Sequence, residues 1–304
     1  MTRLEDAVRK AETDLLGGRF SDAFATYQRG IVAFVVPVLP DTAATIDASY
    51  AERLARDGNS LAALTGASFA RWVFSDYAGA IELLDVLLTI EPDDVYGTLF
   101  RGSCRALHGS DVTAGIRDLD RAIEHEPDSP DVRFVVADAY TYGAAPDLTR
   151  AFSEATLALE GGLDTPRVHA ILAAAERSFG DHAAAGRHFA RHLELVRTEL
   201  RTTQPLEPGG TLALELVPGR VHEVPLPVTA GGTIAVATTS DDVTDSIAVL
   251  FDPGGAPVTG ADDDEAGSGS FAAVRWDAAA SGTYRLRVAS FEAVETGTLE
   301  VTRG

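Results

Sequence analysis

Lysine and cysteine are almost missing from this chain: Lys10 and Cys104 are the only ones among 304 residues. One thiol cannot form an intramolecular disulfide, and no motif around Cys104 marks it as a nucleophile. It sits within a helical pattern and reads as a small buried apolar residue. Long apolar runs are also lacking. Residues 31–39 are too few to cross a bilayer and are broken by Pro37 and Pro40. The N-terminal stretch MTRLEDAVRKAETD is charged and carries no signal-peptide core, so a cytoplasmic location is expected. There is no Walker loop, Rossmann glycine fingerprint, nucleophile elbow or zinc-binding cysteine set. No catalytic residue is therefore assigned, and no enzyme activity is expected.

What is present is acid. Forty-six Asp and Glu against 25 Lys and Arg give a formal charge of −21. Such a chain repels phosphate backbones and anionic lipid surfaces, so neither nucleic acid nor membrane is an expected partner. Hydrophobic residues make up 45%, enough for a sizeable core in one or two domains.

The front two-thirds has helical periodicity. In residues 75–94, Ala80, Ile81, Leu84, Leu87 and Leu88 share one face, Tyr77 opens the segment and Pro92 closes it. Thirty-five residues on, Ile116, Leu119, Ala122, Ile123 and Pro127 recur in the same places; Gly180, Asp181, His182, Ala185, Phe189 and Leu193 form a further copy. Gly18, Phe20, Ala23, Tyr27 and Ile31 form an earlier one. Aromatic, small residue, large apolar residues and a terminal proline at this period resemble the second helix of the tetratricopeptide (TPR) repeat. The resemblance implies an all-α solenoid of helical hairpins over residues 1–200. A first hairpin is expected at 3–36, an irregular insert at about 38–60 and a degenerate unit at about 130–165. In that unit Glu154 falls where Leu84, Leu119 and Phe189 place an apolar side chain.

After Thr202 the pattern changes. Residues 201–210 read as a Pro/Gly linker. Short alternating runs then follow at 211–216, 221–228, 233–239, 246–251, 271–276, 283–289 and 298–302, separated by turn residues such as Pro218-Gly219 and Ser281-Gly282. This spacing predicts an all-β antiparallel sandwich over 211–304. The segments DSIAVLFDPGG (245–255), DDD (262–264), SGTYRLRV (281–288) and GTLEV (297–301) resemble, in order and spacing, the bacterial pre-peptidase C-terminal (PPC) domain, a jelly-roll-like fold. The chain is thus expected to be multidomain.

The TPR resemblance implies a concave groove lined by first helices, with Phe69, Trp72, Tyr96, Asp131, Phe134, Asp138, Arg167 and Arg177 as candidate partner-binding residues. Aromatics flanked by acids suit an apolar, somewhat basic segment docked as a helix or extended peptide. The competing reading is that Phe69, Trp72 and Phe134 pack between helices. Asp262, Asp263 and Asp264, with Asp245, could supply oxygens to Ca²⁺, the one cofactor the sequence suggests; a solvated acidic turn is the alternative. His188 and His192, four apart on one helix face beside His182, invite a metal reading but show no third ligand at a diagnostic spacing.

The expected function is a non-enzymatic protein–protein interaction adaptor, with the sandwich as an accessory recognition module. Two alternatives stand beside it: a carbohydrate- or Ca²⁺-binding accessory protein, or the regulatory subunit of a separately encoded hydrolase.

Overall fold

A computed structural model describes residues 10, 13–14, 40–73, 75–217, 219–240, 245–261, 272–290 and 297–304. The expected first hairpin, 3–36, lies almost wholly outside them. Among the described residues, nine helices precede nine strands, and the chain divides into two compact units at Asp164/Thr165.

The first unit holds α1 (Pro40–Arg56), α2 (Leu61–Val73), α3 (Tyr77–Ile90), α4 (Val95–His108), α5 (Val112–His125), α6 (Pro130–Tyr142) and α7 (Leu148–Glu160). Consecutive helices pack as TPR-type hairpins. Aspartate marks where several helices begin. Asp76, Asp94, Asp111 and Asp147 are N-caps of α3, α4, α5 and α7, each accepting a first-turn backbone N–H; Ser129 caps α6 in the same way. Each such cap contributes about 1 kcal/mol, and a carboxylate there also meets the positive end of the helix dipole.

Two glycines let α4 and α5 cross closely. A Cβ on Gly102 of α4 would come within 3.0 Å of the Gly115 carbonyl oxygen on α5, and one on Gly115 would come within 3.0 Å of the Gly102 carbonyl oxygen. Apolar layers fill the space on either side, with Leu84, Leu87, Leu99, Leu119 and Phe134 almost fully buried.

The second unit joins a last hairpin to the strands. Helices α8 (Pro166–Ser178) and α9 (His182–Val196) are capped by Thr165 and Asp181. The strands are β1 (Glu199–Thr202), β2 (Thr211–Leu216), β3 (Arg220–Val228), β4 (Thr233–Thr239), β5 (Ser246–Phe251), β6 (Pro257–Ala261), β7 (Ala273–Asp277), β8 (Gly282–Ser290) and β9 (Gly297–Arg303). One sheet has the order β1-β3-β8-β5-β6 and the other β2-β9-β4-β7. All pairings are antiparallel except β1 with β3.

Two strands lie outside the runs read in the sequence. β1 (ELRT) is exposed along its whole length, and β6 (PVTGA) is short and carries a glycine. The stretch read as a linker is held down. The Leu206 side chain is buried and its N–H donates to the Pro225 carbonyl at 2.9 Å, while Arg303 donates to the Leu206 and Pro227 carbonyls at 2.6 and 2.9 Å.

Between the sheets lies a core that includes Leu214, Val224, Leu226, Ile234, Leu250, Leu286, Val288, Leu299 and Val301. A second core lies outside the first sheet, where Ile247, Val249, Phe251, Val221 and Ala289 pack against Ala170, Ala185, Phe189, Leu193 and Val196 of the hairpin. Every residue of β5 is buried. Its even-numbered apolar side chains enter the sandwich and its odd-numbered ones meet the helices. Gly186 permits this contact, since a Cβ there would stand 3.0 Å from the Thr259 backbone.

Candidate functional site

The first unit carries a line of aromatic rings that ends at the surface. Phe69 and Trp72 on α2 stack with centroids 5.9 Å apart; Phe100 on α4 lies 5.4 Å from Phe69 and 5.0 Å from Trp72; Tyr96, one turn earlier, is 6.3 Å from Phe100. Inside, the polar edge is satisfied: the Trp72 indole N–H donates to the Ser103 hydroxyl at 3.0 Å, both side chains being buried. Phe100 was not among the expected residues, although its position four after Tyr96 puts the two on one helix face.

Phe69, Trp72 and Phe134 are interior, respectively 2%, 7% and 1% exposed, so they pack between helices and offer no surface to a partner. Asp138 is also buried. Tyr96 differs: it is 38% exposed and stands beside acid. Burial holds its phenol above the usual tyrosine range; the carboxylates of Glu126 and Asp131 push the same way, and a hydrogen bond with Ser129 opposes them. The structure thus brings together Tyr96, Ser129, Asp131 and Glu126, from the start of α4, the end of α5 and the start of α6. Only Tyr96 and Asp131 were expected.

Arginine in this unit serves the helices. Arg101 grips Asp118 through two nitrogens, each at 2.8 Å; Arg105 reaches the same carboxylate at 2.9 Å, and both approach Asp85 at 3.1 Å. These bonds tie α3, α4 and α5 together. Arg150 pairs with Asp120 and lies over the Tyr140 ring at 4.7 Å.

Arg167 and Arg177 belong to the second unit, on α8. Arg177 donates to the Gly260 carbonyl at 2.8 Å, linking the hairpin to β6. His169, His188 and His192 are structural in setting. His192 is buried with Nδ1 3.0 Å from the Pro166 carbonyl oxygen, while His188 and His169 bring their Nδ1 atoms within 2.7 Å. Among the described residues, no three His, Cys, Asp or Glu side chains converge as metal ligands. Asp245 immediately precedes β5; Asp262, Asp263 and Asp264 lie outside the described residues. Among the described residues, no helix is long and apolar enough to cross a membrane.

No protein-family model and no curated protein matches the chain. Among solved structures, residues 41 to the end of MamA from Desulfovibrio magneticus RS-1 align at 18% identity and a TM-score of 0.41, covering 51% of this chain and 85% of that one. A further crystal structure of MamA aligns at 17% identity and a TM-score of 0.41, covering 51% and 89%. The pre-peptidase C-terminal domain of a collagenase from Bacillus anthracis aligns at 14% identity and a TM-score of 0.29, covering 34% and 94%. At such identities the functional reading rests on the residues described above.

Proposed function

We propose that this chain is a non-catalytic interaction scaffold whose helical hairpins hold a segment of another protein, with Tyr96 as the anchor. The observation that carries the proposal is the partly exposed Tyr96 ring, backed by Phe100 and edged by Asp131 and Glu126. A rigid ring supported from behind offers contact area at little conformational cost, and neighbouring carboxylates select for positive charge. The fitting occupant is an apolar segment with lysine or arginine beside it, bound as a helix or extended strand.

A photo-crosslinking residue placed at Tyr96 tests this in native extract, with the same residue at Val86 as control; Val86 is 42% exposed on α3. A discrete adduct at position 96, competed by excess parent protein and absent at 86, supports the reading. Equal labelling at both positions, or none at 96, removes it.

A further inference from the structure

The two sheets of the second unit treat their edges differently on the side where β6 and β7 run. β6, the last strand of its sheet, is covered: α9 lies against it, with Gly186 in contact with the Thr259 backbone and Phe189 in contact with Gly260. β7, the last strand of the other sheet, pairs among the described residues with β4 alone.

Hydrogen bonds at its ends give the phase of that ladder. Thr238 N–H donates to the Ala272 carbonyl at 3.0 Å, and Ala278 N–H donates to the Gly232 carbonyl at 2.9 Å. Residues 274 and 276 therefore turn their backbone groups toward β4, and Ala273, Arg275 and Asp277 turn theirs to the opposite side. The neighbouring strand agrees: the Ala235 carbonyl, opposite Arg275, accepts from Gly304 N–H at 2.9 Å on its far side.

A groove of about 540 Å³ runs along this edge, lined by all five residues of β7 and, across from them, by Thr259 of β6 and by Arg177 and His182 of the hairpin. Trp276 borders it while packing against the sandwich core. Arg275 is exposed, and Arg177 is steadied by its bond to Gly260. Asp277 is partly engaged, accepting from the Thr233 hydroxyl at 2.7 Å. Arg177, Arg275 and His182 thus line the groove beside the Asp277 carboxylate, in a chain whose net charge is −21.

We propose that this groove is a strand-addition site, in which an extended acidic peptide pairs its backbone with Ala273, Arg275 and Asp277. At about 3.4 Å per residue the edge spans roughly 17 Å and takes a segment of about five residues. Main-chain bonds supply the grip; Arg275 and Arg177 select a carboxylate side chain, and Trp276 supports an apolar one. Charged residues on an edge strand commonly deter association between like edges. Here Arg275 selects an acidic strand, because a facing wall makes the edge a groove.

The test is fluorescence anisotropy on the full chain with a fluorescein-labelled blocked peptide, TVEVEVT, against its lysine counterpart TVKVKVT. Saturable binding of the acidic peptide, at least tenfold tighter than the basic one and at least tenfold weaker with Arg275→Glu, is expected. N-methylation of alternate peptide residues provides the register readout, needing no change in the protein. One set of alternate positions should abolish binding and the other should leave it intact. Ala273→Pro removes an outward N–H without touching the β4 ladder and should also weaken binding. No saturable binding up to millimolar peptide, or binding indifferent to N-methyl register, overturns the proposal. A concentration-dependent dimer that Ala273→Pro dissolves also overturns it, since a second copy would then be the occupant.

Discussion

Arg133 on α6 donates to Glu154 on α7 across 2.5 Å, and both side chains are largely withdrawn from water. The remaining Arg133 donors reach the Pro127 carbonyl at 2.7 and 2.9 Å. The glutamate that makes this unit look degenerate in sequence is therefore one half of a clamp between paired helices. Arg101 and Asp118 clamp the preceding hairpin in the same manner. Breaking a buried pair on one side strands a charge and costs about 3 kcal/mol, whereas replacing both partners with apolar groups is often neutral. Glu154→Ala should lower the unfolding free energy read from the helical signal in urea by that amount, and Arg133→Met with Glu154→Leu should recover most of it. Equal losses in the single and double variants would show that the pair is not the cause.

Acid and base should act on the second unit in opposite directions. Burial, then the charge of Asp181, pushes the Glu176 carboxyl up to about 7, with Arg187 opposing. Between its ordinary value of 4.5 and about 7, the folded chain holds a proton that the unfolded chain has released. The stability supplied by neutral Glu176 is thus full below 4.5 and lost as pH rises through 7. Burial, then the charge of His169, takes His188 down to about 4, so its contribution is full above 6.5 and lost as pH falls through 4. In urea titrations, Glu176→Gln should gain on the parent as pH rises from 4.5 to 7, and His188→Gln should gain as pH falls from 6.5 to 4. Gains that do not vary with pH would refute this assignment.

The hairpin's grip on the first sheet depends on Gly186. A branched side chain there must displace the Thr259 backbone, and overpacking of this kind costs about 1–3 kcal/mol. Gly186→Val should raise hydrogen exchange in α8, α9 and β6 while leaving β2 and β9 protected. Uniform protection across the unit would mean that the contact yields without strain.

Cys104 is fully buried, and burial pushes its thiol up to about 12. Only the thiolate attacks a disulfide reagent, so the native chain should be inert to Ellman's reagent at pH 8 and react only as fast as it opens. Rapid stoichiometric labelling without denaturant would contradict the buried placement.

Much of this architecture was legible because its signals are local. α3 begins and ends where periodicity and punctuation place it, at Tyr77–Ile90. The period-two runs of β2 and β4 likewise carry their own boundaries, 211–216 and 233–239. β1 and β6 were missed because neither is an apolar run of strand length: one is an exposed polar edge, and the other is short, carries a glycine and is defined by its contact with α9. At the candidate site, Tyr96 and Asp131 were readable as an aromatic and an acid on first helices. The inward positions of Phe69, Trp72 and Phe134 were not, since a helical face shows that a residue is apolar and not which neighbour covers it.

Sequence alone determined the order of the helices and of most strands, because capping aspartates, prolines and glycines act within a few residues of themselves. Tertiary structure decided which elements share a core. SIAVLF shows no alternation because both faces of β5 are covered, one by the opposing sheet and one by the last hairpin. That hairpin therefore joins the strands, since the burial of Phe189 and Leu193 against Val249 and Phe251 is a property of two surfaces meeting and is written in neither segment by itself.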